Sequence, residues 1–145
     1  MTLTREEILA MDPIELGPVV AEHVFKAKVI GKENFPELSL LIGWFGYEAW
    51  KPMKGTWHNA EWRNSEEKAW LDCPRFGEDI AAAYEMEKAL DENIREEYAI
   101  QLHNVMGFML HEPTTLMNIY HFAHATPEQR CKAALLAATK AVLNL

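Results

Sequence analysis

The sequence has few cysteines and no long apolar run, and each absence excludes a class of protein. Two cysteines, Cys73 and Cys131, are too few for a disulfide framework, so we expect free thiols in a reducing compartment. No apolar run reaches the roughly 18 residues that a membrane-spanning helix needs, and the polar N-terminus does not resemble a signal peptide. The net charge of −8 disfavours extensive contact with nucleic acid.

Sequence patterns typical of catalytic, metal-binding or phosphate-binding sites are also scarce. His121 and His124 lie three apart on a predicted strand, so their side chains would point to opposite faces and could not share an ion. Neither cysteine has a histidine placed by sequence as its base, and no glycine-rich phosphate loop is present. We therefore predict no catalytic residue, no metal site and no cofactor.

What the chain does contain is typical of a soluble, intracellular globular protein. Its 145 residues have the size of one domain, which we expect to span residues 1–145. Apolar residues make up 49% and aromatic residues 10%, which is enough to form a core and excludes a disordered chain.

The hydrophobic pattern predicts an α+β fold, in which helices pack on a small, mainly antiparallel sheet. Between two N-terminal helices and a helical C-terminal half, residues 31–75 are rich in glycine, proline and aromatics, and we expect an irregular insert within the domain. The predicted helices are Thr4–Met11, Leu16–Ala27, Asp79–Leu90, Asp91–Met109 and Thr126–Leu145, and the predicted strands are Leu38–Phe45, Gly55–Trp62 and Asn118–His124.

Three segments, taken in order, resemble the phage ABA-sandwich domain, a small family encoded by phages and prophages. They are Thr4–Met11 with Val20–Phe25, then Asp79–Tyr84, then Ala125–Pro127 with Arg130–Ala137. The resemblance implies a helix–sheet–helix sandwich and a viral accessory protein that acts in the host cytoplasm. Family members usually carry Gly-Trp where this chain has Lys26-Ala27.

All five tryptophans fall between residues 44 and 70. Residues 51–75 hold five basic and four acidic groups, whereas the segments on both sides are net acidic. Aromatic faces can stack on a nucleobase and basic groups can bind its phosphates. This segment therefore indicates a site for a small anionic ligand.

We place that site between Gly46 and Arg75, with the tryptophans as stacking surfaces and the basic side chains as phosphate donors. A strand there would put Trp57 and Trp62 on opposite faces, so only one of them could face the ligand. Alternatively, the tryptophans form a local core or a self-association patch. The candidate ligand-binding residues are Trp50, Lys54, Trp57, His58, Trp62, Arg63 and Arg75.

Three functions are compatible with these features. The first is sequestration of a nucleotide second messenger of host antiphage defence, by analogy with the small oligomeric sponge proteins that phages encode. The second is an acidic protein–protein interaction module that inhibits a host factor, and the third is a small hydrolase of such a messenger. Residues 38–47 are apolar enough to predict a homo-oligomer, and no membrane partner is expected.

Overall fold

A computed structural model of the chain describes residues 3–48, 51–55, 57, 59–107 and 116–143. Within these residues the fold is α+β, with helices packed on a small antiparallel sheet, as predicted. In the described part of the chain, none of the helices has the length and hydropathy to cross a bilayer. The elements are α1 (Arg5–Ala10), α2 (Pro13–His23), β1 (Lys28–Lys32), β2 (Phe35–Glu48), β3 (Lys51–Gly55), α3 (Glu66–Trp70), α4 (Ile80–Ala89), α5 (Glu92–Val105), α6 (Leu116–Ala123) and α7 (Pro127–Leu143).

All five predicted helices are present, but their bounds differ: α2 begins three residues before Leu16 and ends four residues before Ala27, and α5 ends at Val105. The capping residues of α1 and α7 act as the sequence indicated. The Thr4 hydroxyl accepts a hydrogen bond from the backbone N–H of Glu7 at 3.1 Å and caps α1. At α7, Thr126 and Gln129 exchange reciprocal side-chain-to-backbone bonds of 2.9 and 3.1 Å, which is a complete capping box. Of the predicted helices, residues 108–109 and 144–145 lie outside the described residues.

Helix α7 is the central helix of the fold. It packs against α1, α2, α4 and α5. Between Cys131 and Ala138 its residues, apart from Lys132, are small or aliphatic and buried, which lets neighbouring helices approach closely. The buried residues are Arg130, Cys131, Ala133, Ala134, Leu135, Leu136, Ala137 and Ala138.

The sheet has the order β1-β2-β3 and is antiparallel. Val29 pairs with Leu41, and Leu41 is fully buried, so this face of the sheet points into the core. The predicted strand Leu38–Phe45 lies within β2 and is confirmed. Residues 31–75 thus supply β2, β3 and α3; the limits of that insert and of the domain stay predictions.

The predicted strand Gly55–Trp62 is wrong. Strand β3 ends at Gly55, and the backbone N–H of Ala60 donates to the Trp57 carbonyl at 2.9 Å, which makes a turn at Asn59. The chain meets the sheet again only at Arg63, through two backbone hydrogen bonds of 2.7 Å with Ser39. The alternating faces proposed for Trp57 and Trp62 therefore do not apply.

The predicted strand Asn118–His124 is also wrong, because Asn118–Ala123 belongs to α6 and His124 lies in the turn after it. A short apolar run fits both the strand period and the helix period, so periodicity alone does not decide between them. The guanidinium of Arg130 donates to the carbonyls of Phe122 and Ala123 at 3.1 and 3.2 Å, which stabilises a helical C-terminus. His121 and His124 are thus one helical turn apart, and the strand argument against a shared ion no longer holds.

Candidate functional site

Trp57 packs at the junction between the sheet and the helices. Its ring lies 5.8 Å from the Phe25 ring and 6.3 Å from the Phe76 ring, both edge-to-face. Gly43 of β2 makes room for it, since a Cβ at that position would lie 2.8 Å from the indole. Trp57 is half-buried against the core, so its position favours the packing alternative over ligand stacking.

Arg63 is engaged in an ion pair with Asp72. Its Nε and Nη2 donate to the two Asp72 carboxylate oxygens at 2.8 and 2.9 Å, and Nη2 also donates to the Asn59 carbonyl at 3.3 Å. The hydrogen bond with Asp72 raises the pKa of Arg63 above its ordinary value. These contacts fasten the 59–63 turn to the end of α3, so the side chain has a structural partner whether or not a ligand binds.

Among the candidate residues, Trp62 lies beside a basic side chain that the sequence analysis did not name. The ring is 38% exposed, and the Lys32 ammonium lies 5.5 Å from its centroid and 5.1 Å from that of Phe35. We call this set the Lys32–Phe35–Trp62 surface. The sequence did not indicate Lys32 and Phe35 as candidate ligand-binding residues. Only the β1–β2 register and the Arg63–Ser39 bridge bring them close to Trp62.

The remaining candidates lie elsewhere. Arg75 is exposed in a cleft of about 250 Å³, beside Pro18 of α2 and Glu78. Lys54 lies in β3, paired in register with Trp44. Trp50 and His58 lie outside the described residues.

A second cleft, of about 550 Å³, opens between α4, α5, α6 and α7. At its base, Nη1 of Arg130 donates to both carboxylate oxygens of Glu87 at 2.9 Å, and the Tyr98 hydroxyl donates to Oε2. Burial, followed by the hydrogen bond with Glu87, raises the pKa of Tyr98 above its ordinary value. The Arg130 guanidinium also lies 4.9 Å from the centroid of the Tyr84 ring.

The two cysteines are free and buried in the core. Burial raises the pKa of each thiol to about 12, so the thiols stay protonated at neutral pH. Across the described residues, the histidines, cysteines and carboxylates form no cluster of three or more that could hold a metal ion.

The family model of the phage ABA sandwich domain matches residues 18–135 of the chain. Neither the curated proteins nor the solved structures contain a significant match.

Proposed function

Because the chain belongs to the phage ABA sandwich domain family, it is a phage accessory protein, and we propose that it binds and sequesters a small anionic ligand. The proposed ligand is a nucleotide second messenger of host antiphage defence. The protein would thus be an anti-defence factor in the host cytoplasm, with no role for a membrane or for nucleic acid.

The observation that carries this proposal is the Lys32–Phe35–Trp62 surface. It offers two exposed rings, 48% for Phe35 and 38% for Trp62, with an ammonium group close to both. A stacked base is worth about 1–3 kcal/mol, and the ammonium group is a donor suited to phosphate.

The charge on this face of the sheet supports an anionic ligand. Lys28 and Lys32 both lie on β1, and both are exposed. The chain as a whole has a net charge of −8, so an anion would be attracted to this face rather than to the acidic helices. We propose that a second copy supplies the opposite wall of the site, which makes the protein a homo-oligomer.

Calorimetric titration with cyclic and ADP-ribose-type nucleotides tests the proposal. Lys32→Ala and Trp62→Ala should each weaken binding at least tenfold, whereas Lys68→Ala, an exposed lysine on α3, should bind as wild type does. Trp57→Ala should instead lower the free energy of unfolding by about 3 kcal/mol, since that ring packs in the core.

Two further variants test the arginine candidates. Arg63→Ala should lower thermal stability because it leaves Asp72 without its partner, and Arg75→Ala measures whether that exposed side chain takes part in binding. Ligand recovered intact after denaturation would separate sequestration from hydrolysis. If no nucleotide binds below millimolar concentration, or if Lys32→Ala and Trp62→Ala bind like wild type, the proposal is wrong.

A second candidate function is inhibition of a host factor through an acidic surface. It is favoured by the exposed carboxylates of Glu85 on α4 and of Glu92 and Glu96 on α5. A triple Glu→Gln variant at these positions should lose protection of the phage in a plaque assay on a defence-expressing host. If Lys32→Ala and Trp62→Ala lose protection while the triple variant keeps it, this alternative fails.

A further inference from the structure

The cleft between α4, α5, α6 and α7 has the properties of a second binding site, separate from the Lys32–Phe35–Trp62 surface. Its volume of about 550 Å³ falls within the range of roughly 300–1,000 Å³ that is common for small-molecule pockets. Its walls present aromatic and aliphatic groups from three helices, namely Tyr84, Tyr98, Leu102 and Phe122. This lining favours a ligand with a flat apolar face.

The base of the cleft is polar but electrically balanced. Every nitrogen of the Arg130 guanidinium has an acceptor, because Nε donates to the Ala125 carbonyl, Nη1 to Glu87 and Nη2 to the carbonyls of Phe122 and Ala123. Arg130 is the cation among the lining residues, and its side chain is only 6% exposed. A phosphate or carboxylate entering the cleft would therefore meet a cation that is already neutralised.

Glu87 provides the polar contact for a ligand. Its carboxylate accepts three hydrogen bonds within the described residues, two from Arg130 and one from Tyr98, and its two oxygens have about four acceptor positions. The side chain is 23% exposed, so Glu87 can be reached from the cleft. An N–H or O–H donor on the edge of a flat ring could therefore bind to Oε1.

From this lining and this balance of charge, we propose that the cleft binds an uncharged planar heteroaromatic group with an N–H donor, such as an indole or a nucleobase. The ring stacks against the aromatic wall and its N–H donates to Glu87. The inference does not depend on the proposed function, because it concerns different residues and a ligand of different charge.

Nuclear magnetic resonance titration of the ¹⁵N-labelled full chain with indole, adenosine and AMP tests this site. Indole and adenosine should shift the backbone amides of Ala99, Leu102 and Ala123, and AMP should bind at least fivefold more weakly than adenosine. Ala99→Trp places a large ring at the exposed rim and should weaken binding of indole and adenosine at least tenfold. Ala81→Trp is the matched control, since Ala81 is an exposed alanine on α4 that does not line the cleft.

The outcomes separate this site from the first one. Lys32→Ala and Trp62→Ala should leave the cleft shifts unchanged, even where they abolish binding of an anionic nucleotide. If Ala99→Trp does not fold by circular dichroism, Tyr84→Ala replaces it and should weaken binding by removing part of the aromatic wall. The proposal is overturned if no cleft amide shifts with indole or adenosine, if the cleft variant binds as wild type does, or if AMP binds more tightly than adenosine.

Discussion

Lys26 has a backbone conformation that residues other than glycine rarely adopt. Its φ is +59°, in the left-handed region, two residues after the C-cap of α2. The backbone N–H of Ala27 donates to the Ala21 carbonyl at 2.9 Å, so this turn leads the chain from α2 into β1.

Lys26→Gly should therefore stabilise the protein. Glycine relieves the steric cost of the left-handed conformation, and the net gain in the free energy of unfolding should be about 1 kcal/mol. Urea denaturation measures it. Lys28→Gly, two residues later in β1, is the control and should destabilise the protein, because that position has extended backbone. A Lys26→Gly variant no more stable than wild type would contradict this explanation.

The two buried cysteines predict that the stability of the fold depends on pH. Burial raises the pKa of Cys73 and Cys131 from an ordinary value near 9 to about 12. A group whose folded pKa is raised stabilises the fold below its unfolded pKa, and that contribution is lost as the pH rises from about 9 through 12.

Thiol labelling at pH 8 checks the same point. Both thiols should react slowly in the native protein and fast after unfolding in urea. The Cys73→Ser, Cys131→Ala double variant should keep full binding activity, since neither thiol lies on the Lys32–Phe35–Trp62 surface. Fast labelling of native protein would show that the thiols are accessible and that this prediction is wrong.

A side chain from another element caps helix α6. Its apolar residues Leu116, Met117 and Ile119 are 86%, 60% and 54% exposed, whereas Phe122 packs against the core beside His103. The capping bonds from Arg130 to the carbonyls of Phe122 and Ala123 hold its C-terminus to α7. The same guanidinium ties α7 to Glu87 of α4.

Arg130→Met should thus affect two helices at once. It breaks a largely buried ion pair and removes the caps of α6, which should lower the free energy of unfolding by about 3–5 kcal/mol. Arg130→Lys should fall between this variant and wild type, because lysine keeps the charge but not the planar set of donors. Chemical denaturation measures the loss, and hydrogen exchange should show faster exchange in α6 for both variants. Lys88→Met, at an exposed position of α4, is the control and should change neither measurement.

The outward face of the sheet is the surface through which we expect the whole molecule to self-associate. Leu41 is fully buried, so its neighbours Leu40 and Ile42 face the other side, where the register places Ile30 beside Leu40. These three aliphatic side chains are half-buried and do not belong to the core cluster. This face is the part of residues 38–47 that can join a second copy.

We expect sedimentation velocity at tens of micromolar to find a homo-oligomer. Leu40→Lys should shift it to the monomer, because it places a charge within the apolar face. Ile14→Lys is the control, since Ile14 is 65% exposed on α2 and should leave the oligomer intact. A monomeric wild-type protein would refute the prediction, and so would a Leu40→Lys variant that stays associated.

The sequence by itself determined the features that local chemistry controls. Thr4 and Thr126 begin helices because their hydroxyls cap the nearest free N–H groups, and the loss of helical periodicity after Gly31 indicated the strand Leu38–Phe45 that lies within β2. The order of three short segments was enough to indicate the family.

Only the tertiary structure decided the features that depend on distant partners. Asn118–Ala123 is helical with Arg130 as its cap, and Arg63 is paired with Asp72. Trp57 packs against Phe25 and Phe76, while Trp62 stays exposed beside a lysine 30 residues earlier in the chain. The physical reason is that a local pattern records which conformations a segment can adopt, whereas contacts between remote residues select one of them and set which side chains are left to bind a ligand.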